Sequence, residues 1–212
     1  NTTVQPDGKI LVGGGGGYTS QGGTARLQAD GTVDPGTVTP WDSHARSTAV
    51  QSDGRAVIGG LFTSSAGEPH PYSARLTVDA TLEPDFNPEL DGGVQSISVQ
   101  PDGKLVMGGA FTHVGGLLRN RVVRLHPDGM LDVFFNPNAN NAVHSTVVQA
   151  DGKILIGGLF TAVAGVPRNR IVRLNADGTL DTGFNPNANG AVLSIAVQAD
   201  GKILLGGEFT SV

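Results

Sequence analysis

A phrase that returns every 49 residues constrains this chain more than any other feature. Asp-Gly-Lys or Asp-Gly-Arg begins at Asp7, Asp53, Asp102, Asp151 and Asp200, so the successive spacings are 46, 49, 49 and 49. Around each lies the same sentence: VQPDGKLVMGGAFT at 99–112, VQADGKILIGGLFT at 148–161 and VQADGKILLGGEFT at 197–210. A second phrase recurs as RVVRLHPDGMLDVFFNP at 121–137 and RIVRLNADGTLDTGFNP at 170–186. A fixed period of this length marks a repeat architecture, in which one unit buries its apolar face only when a neighbour stacks on it. The odd run Gly13 to Gly17 belongs to this frame. Gly13 and Gly14 match the Gly-Gly pairs at 59/60, 108/109, 157/158 and 206/207, while Gly15 to Gly17 replace the residues before Phe-Thr and Tyr18 stands for Phe. The run is therefore an eroded repeat. A phosphate cradle needs a following helix and a Lys-Ser or Lys-Thr, and neither follows.

Each copy reads as four short strands. VQSISVQ and KLVMGGAFT flank one Pro-Asp-Gly, and NRVVRLH and MLDVFFN flank another. Asp-Gly between apolar runs signals a tight hairpin, because Gly accepts the positive φ that the turn requires. Gly 32 and Pro 12 together make 44 of 212 residues, about a fifth, which suits a chain with this many turns. No helical period of useful length competes. Four antiparallel strands repeated every 49 residues predict an all-β β-propeller, with copies at about 1–40, 41–90, 91–139 and 140–190 and half a copy at 191–212. Both ends supply the same first hairpin, so the expectation is a fragment of a larger propeller, or an incomplete ring completed by another chain. The Gly-Gly pairs fit close sheet packing, since a residue without Cβ lets a neighbouring sheet approach.

These residues carry a family resemblance. RLNADGTLDTGFNP at 173–186 and VQADGKILIGGLFT at 148–161 resemble the delta-60 repeat, a bacterial propeller-forming repeat of large exported or surface-associated proteins. The resemblance covers nearly the whole chain, is sharp from about 94 to 210 and blurs over 13–45. It implies a propeller fold and an extracellular or cell-surface location. It carries over no catalytic residue.

Charge and composition remove several partners. A net charge of -5 and a pI near 5.4 argue against a nucleic-acid surface, which needs clustered Lys and Arg. No run of 18 apolar residues exists, so no helical membrane insertion is expected. The absence of Cys excludes disulfides, thiolate metal sites and Cys nucleophiles. Asn1-Thr2-Thr3 is neither an initiating Met nor a signal peptide, and the chain reads as processed or cut from something longer.

In such a blade the first and third turns lie at one end and the remaining loops at the other. The first end holds the near-identical Asp-Gly turns. The second holds longer, divergent loops at 64–71, 113–118 and 162–167 with the links 88–93 and 137–142, and binding chemistry belongs on loops of that kind. Residues present in every copy read as structural. Phe62, Phe111, Phe160 and Phe209, with Phe86, Phe135 and Phe184, are expected in the core. Arg26, Arg75, Arg124 and Arg173 recur with an acid eight residues later, Asp34, Glu83, Asp132 and Asp181, which predicts an internal ion pair in each blade.

Departures from the repeat are either drift on unconstrained loops or candidate ligand contacts. Trp41 stands where the other copies have Leu90, Ala139 and Ala188; an exposed ring there would stack on a sugar or anchor a protein. His44 replaces Gly93, Ala142 and Ala191; His70 replaces Arg119 and Arg168; His113 replaces Ser64 and Ala162; His144 replaces Arg46, Gln95 and Leu193. No two of these histidines share ligand spacing, so no metal site is assigned. Asn175, Asp177 and Asp181 in NADGTLD follow part of a calcium-loop pattern, although the other copies break it and a hairpin explains Asp-Gly without an ion. No Ser/His/acid set, HExxH motif or isolated carboxylate pair is visible, and Glu208 alone is acidic where other copies have Leu61, Ala110 and Leu159. The expected function is a non-enzymatic structural or interaction module of an exported bacterial protein that binds a protein partner or its own copies. The alternatives are a carbohydrate-binding propeller and a propeller hydrolase or lyase.

Overall fold

The computed structural model describes residues 1–14, 22–65 and 67–212. Gly15 to Gly17, Tyr18 and Ala66 lie outside the described residues, and with them part of the reading of the first copy and of the loop at 64–71. Every regular element among the described residues is a strand. The first blade contains β1 (Thr2–Val4), β2 (Ile10–Gly14), β3 (Gly22–Leu27) and β4 (Thr39–Trp41), hydrogen-bonded in that order. The second has β5 (Ala45–Val50), β6 (Ala56–Gly60), the two-residue strands β7 (Ser64–Ser65) and β8 (Glu68–Pro69), and β9 (Ser73–Leu76). The third repeats this as β10 (Val94–Val99), β11 (Leu105–Gly109), β12 (His113–Val114), β13 (Leu117–Leu118) and β14 (Val122–Leu125). The fourth does so as β15 (Val143–Val148), β16 (Ile154–Gly158), β17 (Ala162–Val163), β18 (Val166–Pro167) and β19 (Ile171–Leu174), and β20 (Val192–Val197) and β21 (Ile203–Gly207) follow.

The main sheets run β5-β6-β9, β10-β11-β14 and β15-β16-β19, all antiparallel, with β20-β21 as a pair. The expected fourth strand, MLDVFFN in the third blade, is a single bridge, Leu125 to Leu131, followed by a turn. The reason is local: Asp132 points inward to Arg124 and Phe135 tucks beneath the next blade, so the segment leaves the ladder. The first blade has the same single bridge, Leu27 to Val33, and Thr37 in place of that Phe; among the described residues it alone adds a strand further on, β4, with Gly22, Gly23 and Thr24 paired to Trp41, Pro40 and Thr39.

Blades stack through their first two strands. β5, β10, β15 and β20 pack side by side, which makes the first strand of each blade the innermost one. The middle strands β6, β11 and β16 are buried at every position. The two glycines that end each middle strand have separate reasons. A Cβ on Gly108 would lie 2.5 Å from Val143 Cγ1 of the next blade, and one on Gly157 2.6 Å from Val192 Cγ1. A Cβ on the second glycine, Gly109 or Gly158, would instead strike the backbone carbonyl of Gly93 or Ala142 in its own blade. Phe62, Phe111, Phe135 and Phe160 are fully buried and Phe86 nearly so, as expected, while Phe184 and Phe209 are half-buried.

Candidate functional site

The Asp-Gly ends of the blades are a repeated fastening. Asp102 Oδ1 accepts the backbone N–H of Lys104, with Gly103 at φ 82°, and the same bond recurs from Lys9 to Asp7, Lys153 to Asp151 and Lys202 to Asp200. Above each turn sits the predicted ion pair: Arg26 Nε to Asp34 2.7 Å, Arg75 to Glu83 2.6 Å, Arg124 to Asp132 2.9 Å and Arg173 to Asp181 2.8 Å. The sequence foresaw a bond internal to the blade. The structure adds a second arm, because Nη1 of Arg26, Arg75 and Arg124 also donates to the carbonyl of Val78, Pro127 or Ala176 in the following blade. The guanidinium of Arg124 further lies 4.4 Å from the Phe135 ring centroid, and Arg75 and Arg173 stand 4.6 Å from Phe86 and Phe184. At Asp132 burial opposes ionisation, but the hydrogen bond and charge of Arg124 outweigh it and hold the carboxyl below its ordinary value. Asp181, hydrogen-bonded by Lys153 Nζ and Arg173 Nε, is lowered to about 2.

Those bonds also occupy the residues of the calcium-like pattern. Asp177 Oδ1 accepts from the N–H and hydroxyl of Thr179, Asn175 donates to the Thr179 hydroxyl, and Asp181 is held by its two cations. Among the described residues no group of three or more His, Cys, Asp or Glu side chains is placed to hold a metal ion.

The Gly-Gly ends are built differently. A short hairpin projects beyond each middle strand, β7–β8, β12–β13 or β17–β18, and is clasped to the preceding link by an Asp or Asn. Asp91 accepts the N–H groups of Thr112 and His113 and the Thr112 hydroxyl, as Asp42 does with Thr63 and Ser64; Asn140 and Asn189 accept the two N–H groups through Oδ1 and donate through Nδ2 to the hydroxyls of Thr161 and Thr210. Nearer the axis, the innermost strands each carry a register shift, between Ala45 and Ser47, Val94 and Ser96, Val143 and Ser145, and Val192 and Ser194. A bulge of this type turns one side chain out of the ladder. The residues so turned are Arg46, Gln95, His144 and Leu193, different in every blade.

The five residues singled out from the sequence stem from this end of the blades, but they do not form one cluster. Trp41 corrects the expectation of an exposed ring. Only 1% of it is accessible, it stacks on Phe62 at 4.3 Å between centroids, and its indole N–H donates to Thr24 Oγ1 at 2.9 Å. It fills the space that smaller side chains occupy elsewhere, so it cannot stack on a sugar. His70 is 3% exposed with Nδ1 unpartnered among the described residues, and burial, opposed by nearby Glu68, pushes its pKa down. His44 is exposed on the link before β5. His113 is exposed too, and its Nδ1 lies 3.0 Å from Asp91 Oδ2. His144 is half-buried at the bulge of β15; burial lowers its pKa most, Arg46 lowers it further, and Glu208 opposes both.

Sequence reading missed Arg46 and Gln95, which appeared only as the residues that His144 replaces. Arg46 Nη1 donates to Gln95 Oε1 at 2.8 Å across the blade boundary. The available signal was positional: four copies carry Arg, Gln, His and Leu at one place where every neighbouring position is apolar or small. Also unforeseen was Phe134, 93% exposed, where the other copies have Gly36, Asp85 and Gly183; Met130 and Val133 are exposed as well.

Comparisons with known proteins agree with the fold. A family model described as "Domain of unknown function (DUF5122) beta-propeller" matches residues 5–36, 51–86, 100–135, 149–184 and 198–212. No curated protein matches the chain. Among solved structures it is similar to a streptogramin B lyase (TM-score 0.63, 16% identity, 98% of this chain and 61% of that one). It is also similar to the Pan2 WD40 domain of Neurospora crassa (0.58, 9%, 97% and 70%) and to PorZ, a bacterial surface component of the type-IX secretion system of Porphyromonas gingivalis (0.55, 15%, 98% and 30%). The chain thus spans 61% of the lyase and under a third of PorZ, and identities this low show the fold alone.

Proposed function

We propose, since the chain belongs to the DUF5122 β-propeller family and that family's description assigns no activity, that the protein is a rigid interaction platform of an exported bacterial protein. The observation that carries this reading is the division of cations between the two ends. Every Lys–carboxylate and Arg–carboxylate pair among the described residues lies at the Asp-Gly ends and ties a blade to itself or its neighbour. The arginines that stem from the Gly-Gly ends, Arg46, Arg119, Arg121, Arg168 and Arg170, reach only amide or carbonyl oxygens. One end is consumed in holding the blades; the other displays side chains that differ from blade to blade, including Leu117, Leu118 and Val166 at the hairpin tips. We read the repeat as the delta-60 type and the location as extracellular or cell-surface; the likeness to PorZ supports the latter.

Immobilised protein should retain bacterial envelope material, and replacing Leu117 and Leu118 by Ser should abolish retention while Lys104→Gln leaves it unchanged. Loss with both variants, or with neither, would remove the Gly-Gly face from the reading. A lyase or hydrolase is the second reading, favoured by an imidazole and a carboxylate on adjoining blades, His144 on β15 and Glu208 after β21. Turnover of an ester, lactone or uronide that His144→Ala abolishes would replace the platform by an enzyme.

A further inference from the structure

We infer that the inner edge of the Gly-Gly end is the mouth of a site that binds a small carboxylate-bearing ligand through Arg46, Gln95 and His144. The inference rests on the reading that this end is the contact face, and it names what the innermost part of that face takes.

The argument begins with the bulges. Three consecutive innermost strands each break register at the same step, so the pseudo-symmetry of the blades delivers Arg46, Gln95 and His144 to equivalent positions around one axis. Arg46 has no carboxylate partner among the described residues. One of its five N–H donors goes to Gln95 Oε1, which holds the guanidinium in place and leaves the other donors and the Gln95 amide N–H groups available. A fixed planar fork of that kind matches a carboxylate edge, and the resulting charge-assisted bonds are roughly twice as strong as neutral ones. His144, half-buried on the next strand, supplies a further polar edge.

Glu208 narrows the chemistry. It follows β21 on the next blade and is exposed. A carboxylate on the adjoining blade disfavours a doubly charged phosphate, whereas a singly charged acid that also carries hydroxyls could offer them to Glu208. Leu193, at the fourth bulge, gives the mouth one apolar side. Donors gathered at a point, rather than along a track, suit a compact molecule over an extended acidic peptide. A uronic acid has the required monoanion, hydroxyls and size.

Titration calorimetry with galacturonate, against galactose as the neutral control, tests the assignment. Galacturonate should bind at least tenfold more tightly than galactose, Arg46→Gln should remove that preference, and Arg55→Gln, at the opposite end, should keep it. Since the Arg46 side chain is exposed, the variant should melt with the parent, and Gln95→Leu, which releases the guanidinium, provides a second disruption. Equal binding of the two sugars, no binding of either, or galacturonate binding unchanged by Arg46→Gln would overturn the inference. So would binding of hexaglutamate in place of galacturonate, which would point to an acidic protein instead. If the hairpin-tip variant still loses envelope material while galacturonate fails to bind, the contact face survives and only the carboxylate site falls.

Discussion

The two ends of the blades are made from the same repeat and obey opposite rules. At the Asp-Gly end Arg26, Arg75, Arg124 and Arg173 each have a carboxylate eight residues on, three of the four have a ring beneath, and three of the four reach a carbonyl of the next blade. At the Gly-Gly end the backbone recurs, bulge for bulge and clasp for clasp, while the side chains it presents change from Arg to Gln to His to Leu. Uniformity follows where a side chain must satisfy a buried neighbour in another blade, because an unpaired buried charge is costly. Where the side chain faces water, the backbone alone is constrained. The difference separates what assembles the propeller from what it offers to others.

Breaking the fastening should have the largest effect. Arg124 and Asp132 are 6% and 4% exposed, so Arg124→Ala leaves a buried carboxylate with Lys104 as its one remaining cation and should lower stability by up to about 3–5 kcal/mol, read from the urea midpoint at constant m-value. A loss under 1 kcal/mol would mean that the pair is ornamental. Next comes the contact between Phe135 and Gly178, whose Cβ would lie 2.5 Å from the ring edge with φ at 97°. Gly178→Ala should lose about 1–3 kcal/mol, and less in a Phe135→Thr background, because the second change makes room for the first. Additive losses would deny that the ring and the glycine are coupled. The second blade already shows the compensated arrangement, with Ala80 at φ 61° in the place of that glycine and Thr37 in the place of that Phe.

A pH titration sharpens the same comparison with a smaller signal. Asp181 is depressed to about 2 from an ordinary 3.8, so its contribution to stability is complete above about pH 4 and is lost as pH falls through about 2. Asp181→Asn should flatten that part of the acid-stability curve; an unchanged curve would place the acid sensitivity elsewhere. The smallest effect belongs to the opposite end. Arg46→Ala, exposed and without a carboxylate partner among the described residues, should alter stability by no more than about 0.5 kcal/mol. A larger loss would make Arg46 part of the fastening and erase the contrast between the ends.

Trp41 shows where sequence reading reached its boundary. A lone aromatic on a divergent link has the same one-dimensional signature whether it faces solvent or core, and only packing against Phe62 and the bond to Thr24 settles which. The fourth strand was overread for a related reason. LDVFFN alternates like a strand, but the pull of Phe135 into the interface and of Asp132 toward Arg124 outweighs a few ladder bonds. By contrast the Arg–acid pairs were legible, since a spacing of eight across a tight turn returns the chain opposite itself.

The sequence by itself determined the period, the turns and the hairpin pairs, because each depends on residues within a few positions of one another and on the positive φ that Gly admits. Tertiary structure alone decided which glycine of each pair faces the next blade, where Trp41 lies, and that Arg46 of one blade bonds Gln95 of the next. Those outcomes depend on contacts between residues from 17 to 49 positions apart, which no local pattern in the chain records.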